Sequence, residues 1–271
     1  MKNDLPPLRD VIAAHKLGAR KSLGQHFLLD LNLTQKIARE AGDLSGKIVI
    51  EIGPGPGGLT RALVETEAKA ILAIEKDPRC LAALETLVEK AGGRLRIIEA
   101  DALRLDPAEL TPPPRVVIAN LPYNVGTALL VAWLHRAQDY EQFVLMFQKE
   151  VAERIVAQPG TSAYGRLSVL CQYCCDCKIL FTVPACAFTP PPKVDSAVIR
   201  LIPKKEALPL GIAELERVTA LAFGQRRKML RGIFKGHLSD ADFEKLGIAP
   251  TARAEELSVE QHVELAKAFH K

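Results

Sequence analysis

Nowhere in the 271 residues does an apolar run approach the roughly 18 to 20 residues that a membrane-crossing helix needs, so no membrane partner is expected. Met1 to Asp10 holds acidic residues and two prolines but no apolar core, so it does not read as a secretory signal, and a cytoplasmic protein is expected. A large excess of one charge is missing too: 36 Lys and Arg against 32 Asp and Glu leave a formal net charge of +4. Nucleic acid is therefore permitted as a partner without being demanded, and the clustering of the positive residues decides. There is no internal repeat and no low-complexity tract. Metal-ligand spacing is incomplete. Cys171, Cys174, Cys175 and Cys177 crowd one segment, but no second CxxC and no neighbouring His completes a tetrahedral set, and no metal is expected. That segment, RLSVLCQYCCDCKILFTV, reads as a helix end followed by a buried strand, with cysteine as a small hydrophobe.

What is present is a regular alternation. A short amphipathic helix, Leu8 to Leu17, leads into a basic arm, Gly18 to Phe27; Asp30 then stands as an N-cap before the apolar-periodic Leu31 to Ala41. Strands are expected at Ile48 to Ile52, Ala70 to Ile74, Leu95 to Glu99, Val116 to Ala119 and Gln142 to Phe147, with helical patterns between them. Such alternation specifies a parallel, doubly wound sheet. Strands near Lys178 to Val183 and Val194 to Ile202 are joined by a short Pro-rich link, which is too brief for a parallel crossover and implies an antiparallel pair at the sheet edge. Beyond a linker at Pro203 to Pro209, Ile212 to Lys271 reads as helical throughout, with stops near Gly224, Gly236 and Gly247. The expected division is 1–205 for an α/β domain with its arm and 206–271 for a small all-α domain.

Four strand ends carry polar devices, and a parallel sheet puts them on one edge. After the first strand, Gly53, Gly55 and Gly58 satisfy G-x-G-x-x-G, but Pro54 and Pro56 remove two of the N–H donors a pyrophosphate would use. The loop suits a zwitterionic amino-acid tail better than phosphates. Glu75 ends the second strand, where a carboxylate accepts both ribose hydroxyls, and Asp101 follows the third, where it can accept from an adenine amino group. The fourth ends in the rigid turn Asn120-Leu121-Pro122-Tyr123, which offers an amide oxygen, backbone carbonyls and an aromatic ring to a flat base with an exocyclic amine. Together the four ends form the pattern of a class I S-adenosylmethionine-dependent methyltransferase.

GQHFL (Gly24 to Leu28), VIEIGPGPGGLT (Val49 to Thr60), NLPY (Asn120 to Tyr123), FTPPPKVDSAV (Phe188 to Val198) and FGQRRKML (Phe223 to Leu230) closely resemble the bacterial small-subunit ribosomal RNA adenine dimethyltransferases, in matching order. The resemblance implies a Rossmann-like, mostly parallel seven-stranded sheet with a small all-α C-terminal domain that binds RNA or the ribosome. It implies conversion of two adjacent adenosines of the 3′-terminal hairpin loop to N6,N6-dimethyladenosine, with an assembling 30S subunit as partner and the chain acting as a monomer. His26 and Leu28 would line the cofactor pocket under the arm, Gly53 would approach the methionine moiety, Glu75 would hold the ribose, Asp101 the adenine amine, and Asn120 would contact the cofactor as well as the base. Gln25 would help anchor the arm. Asn120 and the Leu121 carbonyl would accept the two N6 protons, while Tyr123 and Phe188 would sandwich the base.

Phosphate contacts are expected from Lys16, Arg20 and Lys21 in the arm and from Arg226, Arg227, Lys228, Arg231 and Lys235, whose spacing at three, four and seven puts several on one helical face. Three rivals share part of the pattern. A DNA adenine or large-subunit rRNA adenine methyltransferase has a similar NxPY-like turn, but the GQHFL and FTPPPKVDS forms favour the small-subunit enzymes. A ribosome-assembly or transcription factor that keeps the fold without catalysis would have no need of every cofactor-edge residue. A dehydrogenase is disfavoured by Pro54, Pro56 and the NLPY turn.

Overall fold

A computed structural model of the protein describes residues 5–20 and 24–269. Its strands are β1 (Phe27–Leu28), β2 (Ile48–Ile52), β3 (Ala70–Glu75), β4 (Leu95–Glu99), β5 (Arg115–Asn120), β6 (Gln142–Gln148), β7 (Cys175–Val183), β8 (Phe188–Thr189) and β9 (Ser196–Pro203). The helices are α1 (Leu8–Ala14), α2 (Leu31–Arg39), α3 (Gly58–Val64), α4 (Pro78–Lys90), α5 (Pro107–Leu110), α6 (Gly126–Leu134), α7 (Lys149–Val156), α8 (Arg166–Cys174), α9 (Ile212–Gly224), α10 (Leu230–Ile233), α11 (Asp240–Lys245) and α12 (Val259–Phe269). Asp30 caps α2 as expected, its carboxylate accepting from the Asn32 and Leu33 N–H groups.

Seven strands form one sheet in the order β4-β3-β2-β5-β6-β9-β7. All five positions of β2 and the four central positions of β5 are buried, which is what unbroken Ile and Val runs require when helices cover both faces. Strands β2 to β6 pair in parallel, whereas β9 pairs antiparallel with β6 and β7 antiparallel with β9. The expected edge pair is therefore present, with β7 outermost. That position leaves β7 only partly covered, so it is not the buried strand anticipated from its sequence.

Chain order reverses between β2 and β5, and this switch point positions the site. Their pairing runs only from Ile48 with Arg115 to Ile50 with Val117, although β2 continues to Ile52 and β5 to Asn120. The strand ends thus part and leave a crevice at the carboxyl edge, where ligands of open α/β sheets bind. One face of the sheet packs against Ile37, Leu63 and Leu84 of α2, α3 and α4; the other packs against Leu130, Ile155 and Leu170 of α6, α7 and α8. Each such buried side chain stabilises the fold by about 1.5–3 kcal/mol.

Helices α9 and α12 pack on α8, and Leu215, Val218, Val263 and Leu265 join the same apolar cluster as Leu170 and Tyr173. Cys171, Cys174 and Cys175 belong to that cluster, and burial pushes the Cys174 thiol up to about 12, so it stays protonated at neutral pH. The C-terminal segment is less helical than expected. Residues 225–229 and 246–253 are non-helical, followed by a single 3-10 turn at Ala254–Glu256. Helix α9 ends at Gly224, and Gln225 leaves helical geometry at φ −125°, ψ 49°. Arg226, Arg227 and Lys228 therefore lie in a turn and share no helical face. Arg226 is engaged by Glu255 at 2.5 Å and by the Ser162 carbonyl at 2.9 Å, while Arg231 pairs with Asp240 at 3.7 Å.

Candidate active site

The crevice between the parted ends of β2 and β5 is a cavity with two halves. Gly53, Glu75 and Asp101 line one half; Asn120, Leu121, Pro122 and Tyr123 line the other, and His26 and Leu28 of the arm close over it. Phe188 is buried just behind, paired with Leu28 across the β1–β8 ribbon. The predicted residues from four strand ends, the arm and the Pro-rich segment are thus brought together. Lys21 falls outside the described residues.

The glycine loop builds the first half. Gly55, at φ +55°, turns its N–H onto Glu75 Oε2 at 2.9 Å, and the Asp77 N–H donates to Oε1 at 2.7 Å. Burial raises the Glu75 pKa while these backbone donors oppose the rise, so the carboxyl is fixed by main chain on both oxygens. Gly58 matters for a different reason. A Cβ there would stand 2.4 Å from the Leu28 carbonyl oxygen, so the third glycine lets the arm cross α3. Asp101 accepts from Lys76 at 2.8 Å and from the Leu103 N–H at 3.1 Å, and Lys76, the larger influence, lowers its pKa.

Two acidic residues at this half are not apparent from the sequence alone. Glu51 sits inside β2, 1% exposed, and its Oε2 has no hydrogen-bond partner within the protein. Burial pushes its carboxyl up to about 8, and the nearby Thr60 hydroxyl offsets this in part without closing a good hydrogen bond. A glutamate in the middle of IVIEI, an otherwise aliphatic buried strand, was the available signal. Asp77 anchors the arm. It takes both Arg79 Nε at 2.9 Å and Nη2 at 2.5 Å, and Gln25 Nε2 donates to it at 3.1 Å. Arg79 is the main reason its carboxyl falls to about 2. Gln25 also accepts from the Arg20 N–H at 2.9 Å, which gives the anchoring expected of it a geometry.

In the second half, Asn120 Nδ2 donates to the His26 carbonyl at 3.2 Å. This ties the amino end of the amide to the arm and leaves Oδ1 as an acceptor for a ligand. The Tyr123 hydroxyl lies 2.5 Å from Ser196 Oγ, a fully buried partner that PKVDSAV does not single out. His26 Nδ1 lies 2.8 Å from the Pro190 carbonyl, and its ring stacks on Tyr123. Such a site can accept two hydrogen bonds from an amine, stack a flat ring, and hold an adenosine with a zwitterionic tail alongside.

The chain is 58% identical over 268 residues to a protein of Paramagnetospirillum magneticum named ribosomal RNA small subunit methyltransferase A, covering 98% of this chain and 95% of the relative. A protein of the same name from Agrobacterium fabrum is 56% identical over 271 residues, covering 98% of each. Among solved structures, a dimethyladenosine transferase from Plasmodium falciparum superposes with a TM-score of 0.78 at 28% identity, covering 89% of this chain and 96% of that one. The 23S rRNA methyltransferase ErmE gives a TM-score of 0.68 at 26% identity, covering 90% and 100%. The seven-stranded architecture is that of a class I methyltransferase. A family model described as ribosomal RNA adenine dimethylase matches residues 16–271, and the chain belongs to that family.

Proposed function

We propose that the protein transfers methyl groups from S-adenosylmethionine to the N6 amines of two adjacent adenosines in the 3′-terminal hairpin loop of small-subunit ribosomal RNA. The observation that carries this reading is the Asn120 amide, whose Nδ2 is held by the His26 carbonyl so that Oδ1 remains to accept from an exocyclic amine. The first half of the cavity fits the cofactor. Glu51 offers an unpaired buried oxygen suited to the ammonium of the amino-acid tail, Gly53 would give the tail access to backbone, Glu75 would hold the ribose, and Asp101 would hold the adenine amine. His26 and Leu28 cover it from the arm. When bound, S-adenosylmethionine supplies an electrophilic sulfonium methyl.

The adenine N6 lone pair is delocalised into the purine and is a poor nucleophile. Hydrogen bonds from its two protons to Asn120 Oδ1 and the Leu121 carbonyl favour a pyramidal nitrogen and aim the lone pair out of the ring plane. Pro122 stiffens the turn that presents both acceptors, and Tyr123 and Phe188 bracket the ring. Positive charge developing on nitrogen meets acceptor dipoles and aromatic faces, with positioning lowering the barrier further. No strong base is required, because the proton leaves only once nitrogen is cationic.

A base within a duplex cannot enter this cavity, whereas a hairpin loop presents unpaired bases at low cost. Arg227, Lys228 and Lys235, with Lys16, Arg20 and Lys21 of the arm, would meet phosphates, and residues 206–271 would form the ribosome-facing part. An assembling small subunit is the proposed partner, the chain acting as a monomer in the cytoplasm. The relatives' shared name supports the small-subunit choice. Incubation with tritiated S-adenosylmethionine and small subunits lacking the modification should label dimethyladenosine; label confined to DNA or large-subunit RNA would overturn the assignment.

A further inference from the structure

His26 does more than line the cavity. Its imidazole stacks on Tyr123 with centroids 5.3 Å apart and planes 29° apart, and it meets Phe188 edge-on at 6.4 Å. No ring contact joins Tyr123 directly to Phe188 among the described residues, so the imidazole bridges them. Each member of this trio is held separately. Ser196 fixes the Tyr123 hydroxyl, the β1–β8 pairing fixes Phe188, and the Pro190 carbonyl fixes His26 Nδ1.

A purine stacked on Tyr123 would need the ring face the imidazole covers, since stacked aromatic centroids lie about 4.5–7 Å apart. We propose that His26 is a positioning residue of the acceptor pocket, its imidazole holding the place of the target adenine between Tyr123 and Phe188 and yielding it when the base arrives. The proposal rests on the adenine-acceptor reading of this site. Tyr123 stacks on the imidazole while Phe188 meets it edge-on, so the imidazole occupies the space on the Tyr123 face that a flat base would take. Among the described residues, one hydrogen bond, to the Pro190 carbonyl, ties the imidazole down, so exchange for a purine breaks little. The exchange also leaves the acceptor intact, because Asn120 is held by the His26 main-chain carbonyl, which need not move when the side chain rotates.

The test compares His26→Ala with His26→Phe in methyl transfer to small subunits lacking the modification, with binding of S-adenosylhomocysteine followed by calorimetry and folding by thermal melting. Removing the placeholder should lower the KM for subunits roughly threefold to tenfold, and a stronger stacker should raise it by a similar factor. A residue with a merely structural role would shift both variants the same way. KM values that rise in both, fall in both, or stay unchanged overturn the proposal; should His26→Ala fail to fold, a KM for His26→Phe that does not rise overturns it alone. If the wild-type protein itself labels no small-subunit RNA, the assigned function fails first, and that outcome is distinct from these.

Discussion

Glu51 is a carboxyl whose chemistry stands far from its ordinary state in water. Its folded pKa, about 8, stands above the unfolded value of 4.5, so the folded protein binds the proton more tightly. The stability this contributes is complete below pH 4.5 and is lost as pH rises through about 8. Glu51→Gln should therefore flatten the alkaline side of the stability curve, gaining on the order of a few kcal/mol over wild type near pH 9 and little at about pH 5, as read from urea midpoints. If the carboxyl meets the cofactor's ammonium, binding at neutral pH should release a proton, measurable by calorimetry in two buffers of different ionisation enthalpy; equal heats in both would remove Glu51 from that role. Asn120→Ala should abolish transfer while leaving cofactor affinity within about tenfold, since only one of several contacts is lost. Surviving activity would show that another group receives the N6 protons. At this scale Glu75, Asp101 and Asn120 were legible because each follows an apolar run whose end fixes its place. Glu51 was hidden by the same logic, since a position inside a buried strand reads as core. The contact of His26 with Tyr123 was illegible because it joins residues nearly a hundred positions apart.

The arm is the element on which the site depends. It is tied down by Asp77 to Gln25 and by β1 to β8. Gly58→Ala should force it off α3, because the added methyl meets a backbone oxygen that has little room to give. The expected result is a loss of about 1–3 kcal/mol in stability, faster trypsin cleavage near Arg20, and weaker binding of S-adenosylhomocysteine. Unchanged proteolysis would mean the arm tolerates the methyl. The basic turn after α9 makes a different prediction. Arg226 is occupied by Glu255, so Arg227→Ala with Lys228→Ala should reduce the slope of log affinity against log salt by up to about 1.5 for subunit binding. An unchanged slope would place the RNA surface elsewhere. The strands Ile48–Ile52 and Leu95–Glu99 were legible to the residue, since Gly and apolar runs mark their ends. The ribbon of β1 and β8 was not, because two-residue strands have no period to read.

Across the whole molecule, the helices after residue 206 share their core with the sheet. The joint between them is aromatic: Tyr164, Phe223 and His262 gather in one group, with Phe223 and His262 centroids 5.3 Å apart. Burial holds the His262 pKa down to about 4 against the usual 6.5, although the Ala254 carbonyl accepts from its ring at 3.0 Å. Its contribution to stability is thus present above pH 6.5 and lost as pH falls through about 4. His262→Gln should lose less stability than wild type between about pH 7 and about pH 4.5 in urea unfolding; an equal loss would assign the acid sensitivity to other groups. The sheet's class and antiparallel edge were legible in the sequence, but the shared core was not, since Pro203 to Pro209 reads as a linker and tertiary packing leaves no mark on it.

The pairing of Phe27 and Leu28 with Thr189 and Phe188 joins segments separated by more than half the chain. Contacts that distant in sequence form late, because the loop between them must be closed first. During synthesis, the roof of the cavity waits at the amino end until its partner strand has left the ribosome. The roof over the cavity can therefore close only after the strands that carry Gly53, Glu75, Asp101 and Asn120 have all been made.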